Sequence, residues 1–443
     1  MKVLRNLYIT NRFFWMMMSI VFLFIVSWAI PILFLIAKIL LVAFVLLCTA
    51  DVFILFNKKV NVKCGRELAD IISLGNLYKV HIAIESKANL RLMINLVDEL
   101  PMQFQERNLS FSFSVNPAEK KDFYYEIRPV TRGEYVFGLT NIFMKSSIGI
   151  VERREKFGEE KTVAVYPSIV EMKQLELLVL SNVSVINGVK KIRKIGHSYE
   201  FDQIKNYTIG DDLRSINWKA TSRKGEVMVN HYEDEKSQQV YMILDKSRTM
   251  RMPFNGISLL DYAVNTSLVI ANVALQKQDK AGLISFADKL GTLLKASKGS
   301  KQLSYILKAL YLEKEKSNEA NYELLYQSIR YLIKSRSLIF LFTNFETTNS
   351  LQRVLSILRK INKLHLLVVV FFENSEITDY AMQPAENVED IYIKTIAHAQ
   401  VYEKHQISNI LKQYGIQSIV ARPDELSIKT INKYLELKAR GMI

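Results

Sequence analysis

The strongest pattern along the chain is an apolar run with no polar face. From Phe13 to Phe56 nearly every position is Phe, Trp, Met, Ile, Leu, Val or Ala, and Lys38 and Asp51 are the charged residues within it. As helix this run of about 44 residues would extend ~65 Å, roughly twice the ~30 Å of a bilayer core. Trp28-Ala29-Ile30-Pro31 supplies a reversal near the middle, because proline suits a turn and disrupts a helix interior. The pattern therefore predicts a transmembrane hairpin over 13–56, with helices at about Phe13–Ser27 and Ile32–Leu55. Lys38 is placed to snorkel toward the outer interface. A cleaved signal peptide would be far shorter and would end in a small-residue site. A soluble helical pair would need a polar stripe on each helix.

Beyond the hairpin the period changes to two. Leu77–Ile84, Leu109–Val115 and Phe123–Arg128 alternate apolar and polar residues, and Asn116-Pro117 and Arg132-Gly133 mark turns. This predicts a β-rich, sandwich-like domain over 57–165. A charged connecting segment occupies 166–235. From 236 to 443 short apolar runs alternate with helical stretches. Strands are expected at Val240–Leu244, Ala281–Phe286, Leu338–Phe342, Leu366–Phe372 and Gln417–Ala421. Helices are expected at Leu259–Lys277, Tyr322–Lys334 and Glu425–Arg440. Strands apolar throughout, alternating with helices, indicate a doubly wound α/β domain with a parallel sheet. Its ligands belong outside the carboxyl ends of the strands.

Charge orients the hairpin. Lys2, Arg5 and Arg12 precede it, and Lys58, Lys59, Lys63 and Arg66 follow it, so both ends belong on the cytoplasmic side. The expected location is the bacterial inner membrane, multi-pass, with residues 1–12 and the folded domains inside. The formal net charge of +15, to which Lys190, Lys191, Arg193 and Lys194 contribute, fits an anionic lipid surface. No zinc-finger, RNA-recognition or helix-turn-helix pattern points to nucleic acid. The two cysteines, Cys48 and Cys64, suit a reducing compartment. No glycine-rich dinucleotide fingerprint or P-loop follows any strand.

At the end of the first α/β strand, Asp245, Ser247 and Thr249 alternate just past the buried segment. In an extended loop they share one side, where three oxygens could bind a hard divalent cation. The alternative is that they cap the following turn. The arrangement resembles the metal-ion-dependent adhesion site of von Willebrand factor A domains, whose first motif is Asp-x-Ser-x-Ser. Lys280–Asp288 resembles the second strand of such domains. Asn344 stands where that motif has an aspartate, and Glu319-Ala320-Asn321 supplies no threonine ligand. The resemblance implies a degenerate site of Asp245, Ser247, Thr249 and Asn344 that would hold Mg²⁺ weakly.

The segment 201–223 resembles the signature of the bacterial family called domain of unknown function 58, keeping Tyr207, Gly210, Asp211, Arg214, Ile216, Trp218, Lys219 and Arg223. Ser222 replaces the usual alanine. Asp98-Glu-Leu-Pro101 and Thr131-Arg-Gly-Glu-Tyr135 also resemble the family's β segment. Gly210-Asp211 suggests a tight turn, the opposite charges of Asp211 and Arg214, Lys219 and Arg223 a paired network, and Trp218 an apolar anchor. The motif is read as a structural clasp against the α/β domain, with a catalytic or phosphate-binding site as the alternative. No nucleophile–base pair has suitable spacing, and His197 and His231 stand alone. The resemblance implies a membrane-tethered, non-enzymatic adaptor whose von Willebrand A-like domain meets a protein partner, a MoxR-type AAA+ ATPase, in envelope or complex assembly. The other class is a metal-dependent enzyme using Asp211, Asp212 and Asp245.

Overall fold

A computed structural model describes residues 5–57, 59–106, 109–180, 199–209, 211–234, 237–385 and 387–442. Two compact units divide the chain, Met1–Tyr166 and Pro167–Ile443.

The first unit opens with a short strand, β1 (Leu7–Ile9), and two apolar helices, α1 (Asn11–Val26) and α2 (Ile32–Leu55). Rings of Phe13 and Phe44 meet at 5.1 Å and those of Phe24 and Phe34 at 6.0 Å, so the helices run antiparallel. Their outer faces expose Trp15, Phe22, Leu35 and Phe53. Among the described residues, α2 is the helix long and apolar enough to cross a membrane.

Ten strands follow: β2 (Val62–Glu67), β3 (Ile71–Ser73), β4 (Tyr78–Ser86), β5 (Leu92–Asp98), β6 (Ser110–Val115), β7 (Lys120–Ile127), β8 (Gly133–Phe137), β9 (Thr140–Lys145), β10 (Val151–Phe157) and β11 (Lys161–Tyr166). They form sheets ordered β1-β10-β9-β5-β6, β2-β4-β7 and β3-β11-β8. The period-two pattern has its expected consequence: Val80, Ile82 and Ile84 of β4 and Leu92, Ile94 and Leu96 of β5 are buried.

Buried among these side chains is one polar network. Asp98 accepts from Arg66 Nη1 at 2.7 Å, Tyr125 Oη at 2.6 Å and Thr140 Oγ1 at 2.9 Å. The segment before the helices is not loose. Leu7 pairs with Arg153 in an antiparallel ladder between β1 and β10, and Asp51 near the end of α2 accepts the amides of Ile150 and Val151 at 2.9 and 3.0 Å.

The second unit contains α3 (Ile169–Leu180), a ribbon of β12 (Tyr199–Asn206) and β13 (Met228–Asp234) enclosing α4 (Trp218–Lys224), and an α/β body. The body runs β14 (Gln239–Asp245), a small ribbon of β15 (Pro253–Phe254) and β16 (Ile257–Ser258), α5 (Leu259–Gln276), β17 (Lys280–Phe286), β18 (Leu290–Ser297), α6 (Ser300–Leu312), α7 (Tyr322–Leu332), β19 (Leu338–Phe342), α8 (Thr348–Leu364), β20 (Leu366–Phe372), α9 (Ser375–Met382), α10 (Val388–Gln413), β21 (Gln417–Ala421) and α11 (Leu426–Ala439). The sheet order is β18-β17-β14-β19-β20-β21.

Every pairing in this sheet is parallel except β17 with β18. The sheet is thus mixed, where the sequence pattern predicts a purely parallel one. The reason is the three-residue connection 287–289: it allows a hairpin, whereas a parallel return needs a crossover of about a dozen residues. Alternate residues of β14 face separate cores. Val240, Met242 and Leu244 pack with α5 and α11 residues such as Leu268 and Tyr434. Tyr241 and Ile243 pack with Leu325, Leu351 and Leu411 of α7, α8 and α10. Both faces are covered, which is why these strands are apolar throughout.

Candidate functional site

The carboxyl ends of β14, β19 and β20 carry the chemistry of the second unit. Asp245 closes β14 at 1% exposure. Its Oδ1 accepts the Ser247 amide at 2.9 Å, and its Oδ2 accepts Thr343 Oγ1 at 2.7 Å. The Tyr322 hydroxyl lies 2.8 Å from Thr343 Oγ1 and 3.4 Å from Asp245 Oδ2. Burial pushes the Asp245 carboxyl up, against the pull of these donors. Burial and the Asp245 charge push the Tyr322 phenol well above its ordinary range.

The loop after Asp245 is not extended, as alternation alone suggests. It curls into a 3₁₀ turn at Arg248–Met250, and Ser247 Oγ and Thr249 Oγ1 lie 3.1 Å apart, bonded to each other. Asn344 donates to the Thr249 carbonyl at 3.3 Å. Its Oδ1 accepts from Lys404 Nζ at 2.9 Å, and Lys404 also donates to the Phe345 carbonyl at 2.6 Å. Burial lowers the Lys404 ammonium to about 8, although Glu346 and Glu403 oppose this.

The structure does bring the four predicted residues together. Asp245, Ser247, Thr249 and Asn344 line one cavity of ≈ 330 Å³ with Tyr322 and Arg353. A second cavity of ≈ 280 Å³ shares Asn344, Glu346 and Thr347 with it and reaches Phe372 and Glu373 at the end of β20. The donor set does not fit Mg²⁺, a cation that needs near-octahedral oxygen ligation. Both Asp245 oxygens already accept protein donors, the Asn344 oxygen accepts an ammonium, and that ammonium would repel a divalent ion. No group of three His, Cys, Asp or Glu side chains with metal-holding geometry occurs among the described residues.

The signature motif lies in the connection between β12 and β13, including α4, and Gly210 falls outside the described residues. The Tyr207 amide donates to the Val227 carbonyl at 2.8 Å. Asp211 accepts the Thr208 amide at 3.0 Å, Thr208 Oγ1 at 2.8 Å and Lys205 Nζ at 3.0 Å. These bonds, the Thr208 amide foremost, hold its carboxyl down at about 2. Asp212 caps the turn Leu213–Ser215 and Asn217 caps α4. Lys205, not the expected Arg214, Lys219 or Arg223, is therefore the cation paired with Asp211.

Trp218 is 72% exposed, and Leu213 of the same motif 67%. Among the described residues, Trp218 is therefore not a buried anchor, as the clasp reading expected it to be. Lys190, Lys191, Arg193, Lys194 and His197 fall outside the described residues, as does the side chain of His231. Neither Asp211 nor Asp212 lines the cavities around Asp245 and Asn344. Lys404, Tyr322 and Thr343 are the participants that sequence reasoning misses. A lysine on a helix reads as solvated, and a tyrosine at a helix start reads as packing.

Comparison with known proteins adds the following. Residues 203–406 match the family described as Protein of unknown function DUF58. Over 186 residues the chain is 22% identical to an uncharacterized protein, YeaD, of Bacillus subtilis (strain 168). That match covers 42% of this chain and 44% of the relative, so the chain spans less than half the length of that curated protein. Three solved structures show remote likeness. BatB from Bacteroides thetaiotaomicron has a TM-score of 0.33 and 14% identity, over 46% of this chain and 100% of that one. Proximal thread matrix protein 1 from the mussel byssus, with a zinc-occupied MIDAS motif, has 0.28 and 12%, over 45% and 46%. The CARDB domain of the PF1109 protein from Pyrococcus furiosus has 0.19 and 12%, over 24% and 90%.

Proposed function

We propose that this chain is a membrane-tethered adaptor that offers the carboxyl edge of its α/β sheet, a von Willebrand A-like doubly wound fold, to a protein partner. The observation that carries this reading is the pair of adjoining cavities at that edge, which share Asn344, Glu346 and Thr347. Concave, partly apolar surfaces at strand ends are where open α/β sheets take ligands. The side chains deepest in the first cavity are spent on holding the loops together: Asp245 on three donors and Asn344 on Lys404.

The tether is a two-helix membrane hairpin. The 24 residues of α2 extend about 36 Å, enough for a ~30 Å core. The 16 residues of α1 extend only about 24 Å, a mismatch met by local thinning and by flanking side chains. Strand β1 before the first helix and Asp51 near the end of the second both join the β10 region, so the helices leave and return on one side. Basic flanks place that side in the cytoplasm. Resemblance of the signature motif makes a MoxR-type AAA+ ATPase the first partner to test.

The test is affinity capture from cross-linked membranes with the wild-type chain and with the double variant R353E/I377W, which alters both cavity mouths. Capture of the ATPase by the wild type and its loss from the folded variant is the expected result. Equal recovery by both would remove the sheet edge as the binding face.

A further inference from the structure

The second cavity has a chemistry opposite to that of a metal-dependent adhesion site. Its walls are apolar, with Met252, Phe254, Phe372, Ile377 and Val401 among them, and its polar rim is acidic, with Glu346, Glu373 and Glu403. The cation in its lining, Lys404, is already bonded to the Asn344 side chain and the Phe345 carbonyl, and Arg422, which acts on Glu373 through its field, is already ion-paired with Asp379. Glu346 makes no hydrogen bond or ion pair with any described residue, acting on Lys404 through its field alone. Glu373 accepts one hydrogen bond through Oε1, from Thr378 Oγ1 at 3.1 Å, leaving Oε2 without a hydrogen-bond partner among the described residues. Glu403 is held by the Thr348 amide at 2.8 Å and hydroxyl at 3.1 Å. This carboxylate excess at an apolar mouth belongs to a chain whose formal net charge is +15.

We propose that this cavity receives the side chain of an arginine, or of a lysine, from the protein partner, without a metal ion. The inference rests on the proposed role of the sheet edge and names the chemistry that edge selects. An acidic side chain entering the cavity would meet three carboxylates, with the nearby cations Lys404 and Arg422 already paired. A guanidinium instead finds Glu373 and Glu346 as acceptors, and carboxylate–arginine pairs are among the strongest hydrogen bonds available. The methylene stem lies against Met252 and Ile377, with the Phe372 ring as a further surface. At ≈ 280 Å³ the cavity sits below the usual range for whole small-molecule ligands, roughly 300–1,000 Å³, and suits one long side chain.

The experiment uses the full chain in detergent micelles and ligand-detected NMR with three probes: N-acetyl-arginine methylamide, its uncharged citrulline isostere and the glutamate equivalent. The expected result is binding of the arginine probe, with the citrulline probe weaker by about tenfold or more. E346Q/E373Q should weaken the arginine probe to a similar degree, I377W should abolish it by filling the cavity, and EDTA should change nothing. Equal binding of citrulline, arginine binding that survives I377W, or Mg²⁺-dependent preference for the glutamate probe would each overturn the proposal. Capture from membranes with I377W separates it from the adaptor reading. Loss of the partner with no arginine preference leaves the edge in place and removes the cationic pocket. Arginine binding with capture unchanged by I377W overturns the proposal: the cavity binds a cation, but the partner meets the chain elsewhere.

Discussion

Lys404 gives the sharpest quantitative test of the site. Its ammonium is buried between α10 and the end of β19 and is lowered from 10.5 to about 8, chiefly by burial. Glu346 and Glu403 face it and act in the opposite sense, while the Asn344 and Phe345 oxygens receive its protons. At about 1.4 kcal/mol per pH unit, this difference is worth up to about 3 kcal/mol of folding free energy. The sign follows from proton counts. Below pH 8 both folded and unfolded chains hold the proton, and folding bears the whole cost of burying the charge. Between 8 and 10.5 the unfolded chain holds more protons, so stability rises with pH. Above 10.5 both forms are neutral and the cost is gone. The perturbation is K404M, which keeps the stem and removes the titrating group. Urea denaturation of the full chain, followed by far-ultraviolet circular dichroism at pH 7.5 and 10, should show a wild-type gain that K404M lacks. The difference between the two pH responses should be about 2 kcal/mol, since this window spans most but not all of the shift. Parallel pH responses would mean that Lys404 titrates as a solvated lysine and does not sit in the site as described.

Three further outcomes follow from other contacts. D98A should destabilise the first unit by about 3–5 kcal/mol, since it strands the buried Arg66 guanidinium, and the double variant R66M/D98A should recover part of that loss in the same denaturation assay. D51A should cost about 1.5–3 kcal/mol, because Asp51 receives the Ile150 and Val151 amides and the Ser146 hydroxyl, and hydrogen exchange at 150–151 should quicken while that of β4 stays unchanged. W218A should shift stability by no more than about 0.5 kcal/mol, as an exposed side chain does. A larger loss in thermal melts would restore the clasp reading of the motif.

What was legible in the sequence was whatever periodicity encodes. Strands buried on both faces must be apolar throughout, so β14, β19 and β20 announce themselves. The helix Ile32–Leu55 has no polar face and is long and apolar enough to cross a membrane, which its sequence shows directly. Strand β18 escaped because it is a half-exposed edge, with Gly291 and Thr292 breaking any apolar run. Helix α8 escaped because its apolar positions, Leu351, Leu358 and Ile361, are thinly spread among polar ones.

The candidate site marks the limit more sharply. Spacing grouped Asp245, Ser247 and Thr249, and the resemblance added Asn344; the four line one strand-end cavity. Whether an oxygen is free to bind a cation is decided by its partners, and those come from far along the chain. Thr343 lies 98 residues from Asp245 and Tyr322 lies 77, and Lys404 lies 60 from Asn344. Each is an ordinary residue in its own element, and only packing brings it to Asp245 or Asn344. Lys404 brings a positive charge to the Asn344 oxygen, and two hydroxyls satisfy the Asp245 carboxylate. Lys404 thus supplies the positive charge at Asn344, while Glu346, Glu373 and Glu403 line the neighbouring cavity. A basic side chain there is the counterpart that restores local neutrality, and it is this reversal of charge preference that the arginine and citrulline probes measure.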